Sequence, residues 1–398
     1  MSQEPPLSVT ELFYNVRRTA DVESAGDSKA DAPSPEEDEV STTVYYREAT
    51  KVNCVVFTSE LCHANNGTPL NLEYVNEGGA NFIFRFLPQG AEAKLPRRLQ
   101  GKLLRLPKIP LEPPDMHWNP EAYFQIPAME QHEYWTGILG REAVLDLEPV
   151  ALWPTLDELI NFHLKNAARA ENRRSTEWEG GAVGFLITDM TAREGEELHE
   201  FKPKWLAQSP NAPRYARRCR TCALRAKRAA ESVVTRTDRQ SLCPLYLLTV
   251  LGQRHAERFT DNPHQLNFIT KEALPILKKL REHQLDNDTV GILNVWQTSM
   301  SDATPVSKLA RAMTSRDCTI YGRCKQDGTV EVRVGDLDMK HPAVGWPKWA
   351  AIEKGLRDGG WYDGLDDVCL LSNEGDMAVV RSCYERTLFK AVFGWTEE

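Results

Sequence analysis

Between residues 44 and 110, short apolar runs alternate with polar breaks. "VYYREA", "NCVVFTS", "LNLEYV", "NFIFRFL" and "KLLRLPKI" are rich in β-branched and aromatic residues and are separated by Gly, Asn and Pro. That pattern predicts a small sheet of hairpins. After Pro154 the period lengthens. In "TLDELINFHLKNAARA" the residues Leu156, Leu159, Ile160 and Leu164 fall on one helical face, behind a capping box of Thr155 and Glu158. Strand-like "AVGFLITDM" and "LHEFKPKW" come next, and helical patterns then dominate in "CALRAKRAAESVV", "LCPLYLLTVLGQ", "KEALPILKKLREHQ" and "PVSKLARAM". The expectation is an α+β chain with a β-rich lobe over residues 44–190, a helix-rich lobe over residues 191–398, and a ligand cleft between the lobes. Residues 1–43 are read as a separate, largely disordered segment. There "DVESAGDSKADAPSPEEDE" has too few large apolar residues to offset the entropy of ordering.

Composition changes one part of this picture. The chain of 398 residues carries a net charge of −9, but Met1–Val40 holds ten acids against three bases, which is −7 and leaves −2 for the rest. Against that nearly neutral remainder, "KPKWLAQSPNAPRYARRCRTCALRAKR" (202–228) stands out with nine Lys and Arg and no acid. No run approaches the roughly 18 apolar residues of a membrane span, and the N-terminus lacks a signal-peptide pattern. Nine cysteines, an odd number, fit reduced thiols better than a disulfide framework. A soluble monomer of the nucleus or cytoplasm, without a membrane partner, is expected.

Three motifs carry candidate chemistry. In "YVNEGGANFIFRF" a strand enters a Gly78-Gly79 turn and leaves as another strand; such a turn is an ordinary hairpin or a cradle whose amides meet phosphate oxygens. Lys102 or Arg105 on the neighbouring strand is placed to reach a phosphate there. In "HEFKPKW" an extended chain puts Glu200, Lys202 and Lys204 on one face, and Pro203 marks an edge strand or a strand end. The third motif is "SRDCTIYGRCKQDGTVEVRVGDLDMKH", two strands flanking Asp327-Gly328. If those two residues form the loop, Asp317 lies opposite Asp338 and one step from Asp336. Three like charges so gathered call for a cation, and Mg²⁺ held by one or two carboxylates with phosphate oxygens meets that need.

The basic run admits three readings. Nucleic acid is one, but the run lacks interleaved aromatics and a known module. Zinc is another, with Cys219 and Cys222 as a CxxC and Cys243, His199 or His163 as partners; a single CxxC leaves it secondary, and structural zinc is not the expectation. The third is a small polyphosphate, each group bringing roughly −1.5 to −2 charges for Lys and Arg to clamp. The run begins on the strand of Glu200, Lys202 and Lys204, which favours the third.

Taken in order, "EGGAN" (77–81), "EFKPKW" (200–205), "RRCRTC" (217–222), "CPL" (243–245), "SRDC" (315–318), "GDLDMK" (335–340) and "GGWY" (359–362) resemble the inositol-pentakisphosphate 2-kinases, in particular their fungal branch. The resemblance implies a two-lobed inositol-polyphosphate-kinase fold distantly similar to protein kinases, with the active site between the lobes. It also implies an enzyme that uses ATP and Mg²⁺ to phosphorylate the 2-hydroxyl of inositol pentakisphosphate, giving the hexakisphosphate, phytate. By resemblance, Gly78, Gly79, Ala80 and Asn81 form the phosphate loop, Arg105 contacts nucleotide phosphates, and Asp189 and Met190 of "ITDM" belong to the hinge that meets adenine. Glu200 would hold the ribose side, and Lys202 and Lys204 the phosphates of inositol and nucleotide. Asp317 matches the aspartate at the attacking hydroxyl, Asp336 the metal-binding aspartate and Lys340 a substrate-binding lysine. Arg218 and Arg220 of the basic run are expected to join in substrate binding.

The resemblance has departures. Where the family often places a basic residue after the last lysine, this chain has Val344 and Gly345, with Lys348 as a shifted candidate and Arg173 or Arg174 as further phosphate contacts. The protein-kinase strings HRD and DFG are absent, so a protein hydroxyl is a poor acceptor. The competing class is a non-catalytic module that binds inositol phosphate or RNA, which has no need of "EGGAN" or of converging aspartates.

Overall fold

The computed structural model describes residues 43–49, 54–58, 68–90, 92–108, 127–152, 156–231, 242–295, 304–340, 342–365 and 368–383. All but the last residue of the acidic segment, and Thr155 of the capping box, lie outside the described residues. The chain forms two compact units, one from Met1–Glu130 with Asp146–Asp189 and the other from Gln131–Leu145 with Met190–Glu398. The sequence placed residues 131–145 in the first lobe; they pack in the second unit.

The first unit is built on a closed barrel of strand order β1-β2-β6-β7-β5-β4-β3, comprising β1 Thr43–Ala49, β2 Cys54–Thr58, β3 Thr68–Glu77, β4 Asn81–Pro88, β5 Lys102–Pro107, β6 Leu147–Leu152 and β7 Val183–Thr188. All pairs are antiparallel except β2 with β6. β4 shows why the sequence takes this form. Its period of two buries Phe82, Phe84 and Phe86 and turns Asn81, Ile83 and Arg85 to the other face. The phenylalanines pack with Leu104, Leu106, Leu152 and Leu186, and with Leu156, Leu159, Ile160 and Leu164 of helix α2 (Leu156–Asn166). Each such side chain contributes about 1.5–3 kcal/mol on burial. The predicted sheet of hairpins is thus closed by two later strands, which removes its open edges.

In the second unit, β8 (Glu197–Phe201), β9 (Thr319–Cys324) and β10 (Val330–Gly335) form an antiparallel sheet of order β10-β9-β8. Helix α1 (Pro127–Leu139) begins in the first unit and continues in the second. The other helices of ten or more residues there are α3 (Arg220–Glu231), α4 (Leu274–Asn287), α5 (Thr304–Ser315), α6 (Pro342–Asp358) and α7 (Glu374–Cys383). The predicted helix over "LCPLYLLTVLGQ" is instead a 3₁₀ turn at Pro244–Tyr246 and a short helix at Gly252–Ala256. In a continuous helix Tyr246 and His255 would lie about 13 Å apart; here their rings stack with centroids 3.8 Å apart. Gly252 allows the chain to fold back, since a Cβ there would sit 2.9 Å from the Tyr246 carbonyl oxygen. Among the described residues no helix is long and apolar enough to cross a membrane.

Candidate active site

In the second unit three lysines close on two aspartates. Lys202 Nζ donates to the Asp317 carbonyl oxygen and to Asp336 Oδ2, both at 2.6 Å. Lys204 Nζ lies 3.0 Å from Asp317 Oδ1, and Lys340 Nζ lies 3.2 Å from Asp317 Oδ2. The route to this cluster differs from the predicted one. β8 is an edge strand, but it ends at Phe201, and Lys204 has φ +57°, so the alternation of side chains stops before the lysines. Glu200 remains on the strand, exposed, across from Tyr321.

The hairpin register is also shifted by one residue from that expected, because the loop is one residue longer. Val330 pairs with Cys324, and Lys325 N–H donates to the Thr329 carbonyl, which leaves a three-residue loop, Gln326–Gly328, closed by Gly328 at φ +82°. Beyond Gly335 the strand breaks at Asp336, whose φ is +61°. The predicted convergence of Asp317, Asp336 and Asp338 as one ion-sharing trio is therefore corrected. Lys202 links Asp317 to Asp336, while the Asp338 carbonyl accepts from Thr314 Oγ1 at 3.4 Å. Among the described residues the acidic trio is not a group gathered closely enough to share one ion.

Lys204 and Asp336 are the two non-glycine residues with positive φ among those described. Such backbone costs on the order of 1–3 kcal/mol and persists only where surroundings over-determine it. The buried Gln284 of α4 supplies that here: its Nε2 donates to the Lys204 carbonyl at 3.0 Å, and its Oε1 accepts from Leu206 N–H at 2.9 Å. Trp205 is held as well, since the guanidinium groups of Arg316 and Arg220 lie 3.4 and 4.3 Å from its ring centroid. Arg316 pairs with buried Asp288 at 2.7 Å, so "KPKW" and "SRDC" are joined through a tryptophan and an arginine adjacent to the cluster. Thr314 Oγ1 accepts from Lys340 N–H at 3.0 Å and fixes the third segment. Gln284 and Thr314 carried no motif signal. Only their burial marks them.

Burial works against the charged form of Asp317, but hydrogen bonding and charge from Lys204, with the charges of Lys202 and Lys340, outweigh it and hold the carboxyl below the usual aspartate range. Asp317 is thus an ionised hydrogen-bond acceptor at neutral pH, and the three lysines and two aspartates retain one net positive charge. Asp336 offers an exposed carboxylate, an oxygen donor of the kind that a hard cation such as Mg²⁺ takes. Lys348 is exposed on α6.

In the first unit, Gly78 N–H donates to the Asn81 carbonyl at 2.9 Å, closing a hairpin over Gly79 and Ala80. Neither glycine has left-handed φ, and a Cβ on either would meet nothing within 4 Å. The turn does not need them for its backbone; they keep the space before it open. Glu77 anchors the turn. Burial disfavours its charge, but Arg169 at 2.7 Å and Lys108 at 2.5 Å hold its carboxyl below the usual range. Arg105 shares a face with Asn81 and Ile83, its guanidinium 5.9 Å from the Phe185 ring centroid. Lys102 pairs with Asp146 at 2.6 Å. Asp189 N–H donates to the Gly101 carbonyl at 2.9 Å, and Met190, the first residue of the second unit's main segment, is buried. Arg173 donates to the Glu77 carbonyl, and Arg174 to the Arg169 carbonyl at 3.1 Å.

Within the basic run, Arg218 and Arg220, expected to join in substrate binding, both have partners within the protein. Arg220 is buried against Glu353 at 2.7 Å, and Arg218 donates to the carbonyls of Trp361 and Leu365. A guanidinium has several donors in a fixed fork, which suits such internal roles.

The family profile described as inositol-pentakisphosphate 2-kinase matches residues 74–271 and 253–355. An inositol-pentakisphosphate 2-kinase of Yarrowia lipolytica (strain CLIB 122 / E 150) is 31% identical over 183 residues, which cover 44% of this chain and 56% of the relative. The matched region thus spans about half of that relative's length. With the profile covering well over half of the chain, including the turn at Gly78 and all of the lysine–aspartate cluster, the chain belongs to the inositol-pentakisphosphate 2-kinase family.

Proposed function

We propose that this chain transfers the γ-phosphoryl group of ATP to the 2-hydroxyl of inositol 1,3,4,5,6-pentakisphosphate, giving inositol hexakisphosphate and ADP. The observation that supports this most directly is the closure of Lys202, Lys204 and Lys340 on Asp317, with Lys202 also reaching Asp336. An acceptor with five phosphates carries about −7.5 to −10 charges. It competes with Asp317 for the ammonium groups, and as Lys204 and Lys340 turn to phosphates, a carboxylate oxygen becomes free to accept the hydrogen bond of the 2-hydroxyl. That oxygen orients the hydroxyl in line and takes up its proton, as the new O–P bond forms and the bond to the ADP oxygen breaks. Lys202 offsets charge on the transferred group. Gly78, Gly79, Ala80, Asn81 and Arg105 contact nucleotide phosphates, while Asp189, Met190 and Glu200 serve adenine and ribose. Mg²⁺, when held by Asp336, would neutralise phosphate charge.

Asp336→Asn tests the reading. Asn tolerates positive φ, so the fold is retained while the metal-binding charge is removed. Turnover, followed as ADP released only when ATP, Mg²⁺ and inositol pentakisphosphate are all present, should fall about 100-fold or more. Near-wild-type transfer by this variant refutes the role of Asp336. ADP release that ignores the inositol phosphate refutes the acceptor.

A further inference from the structure

Four cysteines from three separated stretches meet inside the second unit. Cys219 precedes α3, Cys222 lies in its first turn, Cys243 precedes the turn at Pro244–Tyr246, and Cys369 precedes the 3₁₀ turn at Leu370–Ser372. All are buried, none is in a disulfide, and their Sγ atoms lie within 4.8 Å of one another. Cys219 Sγ and Cys243 Sγ are 3.8 Å apart, whereas a disulfide needs about 2.05 Å. A tetrahedron of thiolates at about 2.3 Å from one ion has S···S edges of about 3.8 Å. A polynuclear iron–sulfur cluster interposes further iron and sulfide and would hold its cysteines farther apart than this.

Apolar packing alone accounts for buried thiols, and Leu245, Tyr246, Leu370, Met377 and Val380 do surround them. It does not account for donors aimed at the sulfurs. Cys219 N–H donates to Cys369 Sγ at 3.2 Å, and Cys222 N–H to Cys219 Sγ at 3.4 Å. Arg225, fixed by the Leu242 carbonyl at 3.2 Å, places a second nitrogen 4.0 Å from Cys222 Sγ. Four thiolates around a divalent ion carry −2, and backbone amides with one guanidinium are the outer partners that such a charge requires.

From this geometry we infer that Cys219, Cys222, Cys243 and Cys369 bind a single structural Zn²⁺. The sequence offered Cys219, Cys222 and Cys243 but gave no spacing signal for Cys369; His199 instead faces Glu197 at 3.0 Å, and His163 lies in the first unit on α2. Zinc would pin the start of α3 to the chain ahead of α7, where Ser372 Oγ already donates to the Arg217 carbonyl.

The full-length protein, purified without chelator, should contain one zinc per chain by plasma mass spectrometry. X-ray absorption should show four sulfur neighbours at about 2.3 Å. A mercurial titrated into the wild-type protein should release zinc in step with the modification of four thiols, and Cys222→Ser or Cys369→Ser should retain well under half an equivalent. The wild-type measurements stand whether or not those variants fold, and none depends on phosphoryl transfer. Zinc-free protein, iron in its place, nitrogen or oxygen neighbours, or a disulfide among these cysteines would each overturn the assignment.

Discussion

Replacing Lys204 by glycine and, separately, by alanine distinguishes the two things this residue does. Its backbone sits at φ +57° and its ammonium lies 3.0 Å from Asp317. The left-handed conformation costs an L-residue about 1–2 kcal/mol. Both ends of the ion pair are more than a third exposed, so after solvent screening the pair stabilises by about 0–1 kcal/mol. Alanine keeps the backbone cost and loses the pair, so Lys204→Ala should be less stable by up to about 1 kcal/mol. Glycine relieves the backbone cost, loses the same pair, and returns about 0.5–1 kcal/mol through the freedom of its unfolded chain. Lys204→Gly should therefore be more stable than Lys204→Ala by about 1 kcal/mol, or roughly 2–4 °C in Tm for a unit of this size. Both should lose phosphoryl transfer to the same extent, about 100-fold. Thermal unfolding beside a steady-state assay reads both quantities. An alanine variant as stable as the glycine one shows that the backbone is not strained. Either variant turning over like wild type shows that the ammonium is not in the site.

The remaining predictions probe other parts. Gly79→Ala should leave Tm unchanged within about 1 °C, since its Cβ meets nothing, while KM for ATP rises; an equal fall in stability would show a purely structural turn. The folded pKa of Asp317 lies below its unfolded value, so its ionisation stabilises the fold above the unfolded pKa, and that contribution is lost as pH falls through the lowered folded value. Urea midpoints measured down to pH 2 should show that part of the acid loss in wild type and not in Asp317→Asn. Gln284→Leu should destabilise by about 1–3 kcal/mol through unpaired backbone groups and raise KM for the inositol phosphate more than KM for ATP. Arg220→Leu leaves Glu353 buried without its cation and should cost about 3–5 kcal/mol in denaturant titration, whereas Lys340→Met should change stability by less than about 1 kcal/mol and affect KM instead.

Strands with a clean period of two were legible: β4 follows from Phe82, Phe84 and Phe86, and α2 from its leucine stripe. Barrel closure was not, because β6 reads "LEPVAL", with a proline and four consecutive buried residues, and so offers no alternation. The hairpin of β9 and β10 was legible as a pair but not in register, since Asp327-Gly328 satisfies both a two-residue loop and a three-residue loop with glycine last. That slip by one residue placed Asp317 across from Asp338. The motif letters brought Lys202, Lys204, Asp317, Asp336 and Lys340 into one list; what joins them in space is Trp205 beneath Arg316, and Gln284 behind Lys204, which pattern reading passes over because a buried polar residue looks like any other helical glutamine.

The basic run from Lys202 to Arg228 shows why charge counted along a chain differs from charge available in space. Nine cations without an acid suggest a surface waiting for an anion. In the fold the acceptors come largely from the protein: Glu353 for Arg220, carbonyl oxygens for Arg218, a carbonyl and the Cys222 sulfur for Arg225, and the two aspartates for Lys202 and Lys204. The division follows side-chain chemistry. An arginine fork can satisfy several buried acceptors at once, so these arginines tie segments together, whereas the lysines end in a compact, rotatable point charge that can leave one carboxylate for a phosphate without dismantling the core. A polyanion therefore meets, in the lysine cluster, charges already largely paired with Asp317 and Asp336, and its binding must be mainly an exchange of partners rather than the filling of an empty positive cleft. Such an exchange carries a weaker salt dependence than nine free cations would, because the screening that weakens lysine–phosphate attraction also weakens the lysine–aspartate pairs it replaces.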